Sequence, residues 1–241
     1  MNFSIVIDNI PLLLDGLWVT LHLISLSLVL GFMLALPLAL IRHFKVPVAN
    51  QLIWGFTYFF RSTPLILQIY LIYYGTGQFS WIRDSWMWVI LEKAYLCGLI
   101  AFTLNTAAYT TEIFRNALDT MRKNEIEAAI AFGMSTWKAY TRIVIPNSLR
   151  RSIPPYSNEV IFLLHSSSIA SAITITELTG AARYLYSKYY DPFTPFLAVS
   201  LVYLVIVFLL TYIFKLLERR FLSYLSINHE STKKLGDFGN P

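Results

Sequence analysis

Amides, hydroxyls and carboxylates set inside apolar runs are the side chains of this sequence best suited to chemistry. Asn105, Tyr109, Glu112 and Asn116 recur at i, i+4, i+7 and i+11, which places them on one face of a helix. Such a face can hydrogen-bond a polar solute and neutralise a cation, so it is a candidate wall for a translocation path. Glu112 also stands three residues before Arg115, and an i,i+3 ion pair that only anchors the helix is the competing reading. A second set follows Pro154 and Pro155: Asn158 and Glu159 first, then His165 and Ser168 deeper in the run. A carboxylate at Glu159 is favoured by the dipole of a helix N-terminus; alternatively it contacts a cationic solute or forms a gate. A single His in an apolar helix suits hydrogen-bonded packing as well as a ligand role. Arg61, close before Pro64, reads as an interfacial anchor.

None of these arrangements looks catalytic. There is no Ser/His/Asp set with a plausible shared pocket and no His/Glu spacing suited to zinc. Cys97 is the only cysteine, which excludes an intrachain disulfide and a cysteine-based metal cluster. A P-loop needs Gly-Lys-Ser/Thr to hold phosphates, and no Gly-Lys pair occurs. The expectation is therefore no catalytic residue, no metal and no cofactor on this chain, with any nucleotide hydrolysis carried elsewhere.

The elements that position these groups must lie in a membrane. Of 241 residues, 56% are hydrophobic and only 14% charged, where a soluble domain carries about a quarter. That apolar excess has to face lipid, because a domain this size has too little interior to hide it. The formal charge of +5 does not imply a nucleic-acid partner, since the basic residues lie between apolar segments without aromatic interleaving. A spanning helix needs ~20 mostly apolar residues, and five runs are read as spans: about 17–41, 64–79, 94–114, 155–176 and 195–214. Residues 46–60 lie at the interface or join the second span through a kink, and 81–93 and 177–191 read as polar connections. The fold expected is all-α and integral to the membrane: one transmembrane domain over 1–220, then a flexible tail over 221–241. Asp8 and Asp15 precede the first run and no Lys or Arg does, unlike a secretory leader.

Charge sets the expected orientation. Arg42, Lys45, Arg115, Arg122, Lys123, Lys138, Arg142, Arg150, Arg151, Lys215, Arg219, Arg220, Lys233 and Lys234 fall on one side. Arg83, Lys93, Arg183 and Lys188 fall on the other, with Arg61 unassigned. The positive-inside rule puts the loop 115–152 and the C-terminus in the cytoplasm and the N-terminus outside.

That loop holds Glu127-Ala128-Ala129, then Gly133, then Ile143-x-Ile145-Pro146. Physically it reads as a short helix over 124–131, a sharp exit at Gly133, and a second helix capped by Ser135 and ended by Pro146. An amphipathic loop packed on its own membrane helices would read much the same. The spacing, however, resembles the EAA motif of ABC-importer permeases, with Ile145 in place of the usual Leu. Phe60-Arg61-Ser62-Thr63-Pro64-Leu65, Asn105 to Phe114 and Tyr156 to Ile161 are similar to segments of the polar amino-acid permeases, the last two to the M-type subunits of histidine and lysine/arginine/ornithine importers. Ser62 departs from the family's Gly.

The resemblance runs from Gly16 to Arg220 and implies a type I permease with a cytoplasmic coupling helix. It implies that Glu127, Ala128, Ala129, Gly133, Ile143 and Pro146 form the ATPase-coupling segment, with Glu127 as the contact and Gly133 as the turn. It also implies two ATP-binding subunits carrying ATP and Mg, a second permease chain, an extracytoplasmic amino-acid-binding protein and a bacterial inner membrane. Glutamine or another polar amino acid is the alternative cargo to a basic one, and an ATP-independent secondary transporter is the alternative class.

Overall fold

The computed structural model describes residues 3–121 and 123–236. Arg122, counted above among the basic residues, and 237–241 of the expected tail lie outside the described residues.

The regular elements among the described residues are all helical. α1 (Ser4–Asp8) leads into α2 (Ile10–His43), which carries Pro11 in its first turn and Pro37 inside. α3 (Ala49–Ser62) stops at extended Thr63 and Pro64, after which α4 (Leu65–Tyr70) begins. α4 widens into a π turn over Leu71–Gly75 and tightens into a 3-10 turn over Thr76–Gln78. The sequence suggests one helix over 64–79; the backbone there changes pitch twice. α5 (Ser80–Arg83) and α6 (Trp88–Leu91) are single turns inside the stretch read as a loop. α7 (Ala94–Asp119) follows, then α8 (Lys123–Ala131) and α9 (Thr136–Ala139). A π turn over Tyr140–Val144 joins α9 to α10 (Ile145–Arg151).

The expectation that Pro146 ends its helix is therefore corrected. Pro146 lies in the first turn of α10, where its missing N–H costs least. The π turn just before it has already shifted the hydrogen-bond ladder, so the chain continues helical to Arg151.

α11 (Ile153–Ser166) starts on Pro154 and Pro155, as expected, and tightens into a 3-10 turn over Ser167–Ile173. α12 (Leu178–Tyr189) occupies the region read as a polar connection. α13 (Phe193–Gly236) then runs through most of the segment expected as a tail. Asp191 opens α13: its carboxylate accepts from the amides of Phe193 and Thr194 and from the Thr194 hydroxyl. Those bonds, the Thr194 hydroxyl foremost, hold the Asp191 carboxyl below the usual carboxylate range.

By length and composition α2 and residues 193–222 of α13 can each cross a membrane, and residues 153–173 with α12 pass the same test only together, as a pair bent by 47° that is either a broken span or a re-entrant loop. α7 is long enough at 26 residues, but its polar face dilutes its apolar character.

α2 and α7 form the central pair. The buried face of α2 includes Gly16, Thr20, Ser27, Gly31, Ala35 and Ala39, nearly all small, and small residues let helix backbones approach where lipid supplies no hydrophobic drive. Gly31 marks the closest approach: a Cβ there would meet the Thr106 methyl and would lie 3.3 Å from the Ala107 amide nitrogen. One apolar cluster joins Leu23, Ile69, Phe102, Leu163 and Ile173. A second, at the end of the bundle that carries the loop, joins Ala35, Ala39, Phe114, Leu118 and Val144.

Candidate functional site

The polar face of α7 is covered by α3. Pro64 has no N–H, so the carbonyl four residues before it, Phe60, loses its helical partner. Asn105 Nδ2 donates to that carbonyl at 3.1 Å and to Gln68 Oε1 at 3.0 Å. Gln68 Nε2 donates to the same Phe60 carbonyl at 2.9 Å and to the Thr63 carbonyl at 3.0 Å. Tyr109 donates its hydroxyl to the Arg61 carbonyl at 3.3 Å, and the Arg61 guanidinium lies 5.3 Å from the Tyr109 ring centre. The break read from Pro64 is thus held open by two amides and a phenol. Gln68 is a partner that sequence reasoning missed, although an amide four residues after a helix-breaking Pro was the available signal.

Glu112 is buried and fully engaged. Arg42 Nη2 lies 3.1 Å from its Oε1, and the Thr57 hydroxyl donates to the same oxygen at 3.1 Å. Arg115 Nε donates to Oε2 at 2.8 Å, so the i,i+3 pairing weighed in the sequence is present. Arg42 also reaches Asn50 Oδ1 at 3.0 Å, and Arg115 reaches Asp119 Oδ2 at 3.1 Å. Asn116 is exposed and accepts from Arg115. Two guanidiniums on one buried carboxylate leave no oxygen free for a cationic solute. Asp119, at i+4 from Arg115, was within reach of the helical spacing, but Arg42 and Thr57 complete the cluster from α2 and α3, which no periodicity signals.

Glu159 differs. It is 5% exposed, and its Oε1 has no hydrogen-bond partner. The polar groups bearing on it are the Thr106 hydroxyl and the Arg61 guanidinium. On the neighbouring α7, Asn105 Oδ1 and Thr110 Oγ1 are likewise buried without partners. Buried polar atoms are nearly always paired, so the unpartnered Glu159 Oε1, beside an equally unpartnered Thr106 Oγ1, suits an occupant that carries its own donors. Tyr109 stands against Phe162 of α11 at the same place, ring centres 6.0 Å apart. Asn158 points elsewhere and is exposed.

His165 and Ser168 come together on the wall of a cleft of about 220 Å³ shared with Thr179, Phe196, Ser200 and Tyr203. Behind it Glu177, missed by sequence reasoning, is wholly buried. Glu177 accepts from the amides of Thr179 and Gly180 at 2.8 Å each and from the Tyr203 hydroxyl at 3.1 Å. Thr20 Oγ1 accepts from the Leu178 amide at 3.1 Å, so the start of α12 is capped by two side chains. An acid followed by Leu-Thr-Gly was the available sequence signal for that cap.

The loop segment is built as a presented turn. The Gly133 amide donates to the Ile130 carbonyl and the Met134 amide to the Ala129 carbonyl, closing α8 in a Schellman cap. Gly133 has φ +84°, a left-handed conformation that glycine takes without strain. Ser135 caps α9 through the Lys138 amide. Glu127, Ala128 and Gly133 are exposed and Ala129 is buried. Ile143 and Pro146 are half-buried, where the adjacent Val144 enters the apolar cluster against α2 and α7. Phe132 is 90% and Trp137 77% exposed, two large apolar side chains carried outward by a fixed turn.

Residues 17–223 match the family described as "Binding-protein-dependent transport system inner membrane component". The chain is 44% identical over 206 residues to an octopine transport system permease protein of Rhizobium radiobacter, covering 86% of this chain and 84% of that one. It is 40% identical over 211 residues to the histidine/lysine/arginine/ornithine transport system permease protein of Escherichia coli, covering 87% and 89%. Its fold is similar to that in a crystal structure of an amino acid ABC transporter with histidines, with a TM-score of 0.82 at 28% identity, covering 91% of this chain and 99% of that one.

Proposed function

Because the chain belongs to the family of binding-protein-dependent transport system inner membrane components, as a permease subunit of an amino-acid importer, we propose that its cargo is a basic amino acid drawn past Glu159. The observation that carries this reading is the buried Glu159 with its unpartnered Oε1. A carboxylate at depth in a bilayer costs ~2.5–3.5 kcal/mol on insertion scales, and among the described residues no ion pair holds it as two hold Glu112, Arg61 acting on it from beyond ion-pair distance. A cationic side chain passing beside Glu159 supplies the missing charge, and the unpartnered Thr106 hydroxyl offers it a hydrogen-bond acceptor. The name of the Escherichia coli relative, with histidine, lysine, arginine and ornithine, agrees with a basic cargo.

The rest of the cycle is part of the same proposal, supported by the family resemblance. The spans are five, with the N-terminus outside and the loop and C-terminus in the cytoplasm. A second permease chain completes the path, since one set of spans encloses only half of it. An extracytoplasmic binding protein delivers the amino acid. Two ATP-binding subunits, which hold ATP and Mg, close on each other and pull on the turn around Gly133. Glu127, Phe132 and Trp137 face the ATPase, and the half-buried Ile143 and Pro146 transmit its movement to the bundle.

Uptake by the reconstituted complex, with and without ATP, tests both parts using labelled arginine, histidine, glutamine and octopine. Arginine or histidine should enter only with ATP, and Glu159→Gln should cut their uptake at least tenfold while the ATPase still co-purifies. Glutamine as sole cargo, or full arginine uptake by Glu159→Gln, would overturn the assignment.

A further inference from the structure

A continuous polar chain runs from the segment beyond α9 to α3. Its first link is His43. Nδ1 lies 2.7 Å from Asp119 Oδ1, and because a carboxylate only accepts, Nδ1 carries the proton. Nε2 faces the Tyr140 hydroxyl at 3.3 Å, in the π turn that follows the presented loop. From Asp119 the chain passes through Arg115 at 3.1 Å to Glu112 at 2.8 Å, and from Glu112 to Thr57 and Arg42 at 3.1 Å each. It ends on Asn50. It links four places in the fold: the π turn, the loop end of α7, the loop end of α2, and α3.

α3 is the element this chain can move. Only Ile53 and Thr57 of α3 are buried, while Leu52, Trp54, Tyr58 and Phe59 are exposed. Little apolar seating fixes it, so polar contacts set its place. Asn50 and Thr57 hold it to the Arg42–Glu112 pair, and the carbonyls of Phe60 and Arg61 hold its other end to Asn105 and Tyr109. A buried carboxylate cannot give up its guanidinium partners cheaply, so a displaced π turn carries the cluster with it.

We infer that Tyr140, His43, Asp119, Arg115 and Glu112 form a positioning chain by which movement of the loop shifts α3 and the 60–64 elbow, with Glu112 as its fulcrum. This rests on the permease reading above and assigns Glu112 to transmission, away from the cargo. Arg61, at the end of α3, bears on Glu159, so the displaced elbow changes the environment of the proposed cargo site.

The test uses the complete complex in proteoliposomes and reads ATP hydrolysed per arginine taken up. His43→Leu and Asp119→Asn, at the half-exposed junction, should each raise that ratio at least threefold with the ATPase still co-purifying, and Asp119→Glu should return it near the wild-type value. Glu112→Gln should raise it similarly, and combined with Asp119→Asn it should do no more than the worse single change. Because Glu112→Gln endangers folding, the two junction variants carry the test alone. Wild-type ratios in both, or an additive double variant, would overturn the inference and leave the permease reading standing. Absence of ATP-dependent uptake in the wild type would instead sink the permease reading, and this inference with it.

Discussion

Three carboxylates buried among the described residues meet three different fates. Glu112 is neutralised by two guanidiniums, and Glu177 is met by two amides and a phenol. Glu159 is left with an unpaired oxygen. The first two solve the cost of burial internally, and that contrast singles out the third as the place where something from outside belongs. Glu177 shows how much such a solution contributes. Glu177→Ala would strand the Thr179 and Gly180 amides, while the Tyr203 hydroxyl keeps Ser167, at about 1–3 kcal/mol for an unsatisfied buried group and about 1 kcal/mol for a lost cap. Taking a total of roughly 3 kcal/mol, the apparent unfolding midpoint of the purified chain should fall by roughly 6–12 °C. Glu177→Gln keeps an acceptor for one amide and should lose about half as much. A midpoint within a degree of wild type for the Ala variant would show that α12 does not depend on this cap.

Among the elements, the α2–α7 pair governs how the rest is placed, and its geometry depends on the absence of side chains. A residue larger than Gly at position 31 must displace Thr106 and crowd the backbone of α7; overpacking of this kind costs about 1–3 kcal/mol. Gly31→Leu should therefore reduce recovery of assembled complex severalfold on size exclusion. Gly55→Ala, with nothing within 4 Å of the added methyl, should not, since Ala is preferred to Gly inside a helix by roughly 0.5–1 kcal/mol. The long apolar helices α2 and α13 were legible from sequence because their signal is summed over many residues. So were the Pro154 start, the break at Pro64 and the turn at Gly133, each fixed by a residue with few backbone options. α12 was legible only in part: the Glu177 cap is local, but its second support, Thr20, stands 157 positions from Glu177 in a chain whose helices bring them together. The polar face of α7 was found by its spacing, yet periodicity could not tell that α3 covers it or that Arg42 and Thr57 close on Glu112.

At the scale of the whole molecule, apolar surface is left outward along residues 193–222 of α13, including Leu201, Val205, Phe208 and Tyr212. Exposure of that extent is stable only in lipid or against another apolar chain, in keeping with an inner-membrane permease. Orientation depends on charge, which the fold by itself does not reveal, and the single cysteine offers a direct way to read it. Cys97 is fully buried, so the native chain should react slowly with a membrane-impermeant maleimide and serve as its own background. Phe132 is 90% and Tyr190 86% exposed, and they sit on loops expected on opposite sides. In intact spheroplasts Tyr190→Cys should label at once, and Phe132→Cys only after the membrane is permeabilised. The reverse order would place the 123–151 segment outside, where no nucleotide-hydrolysing subunit could reach it, and the coupling scheme would have to be abandoned.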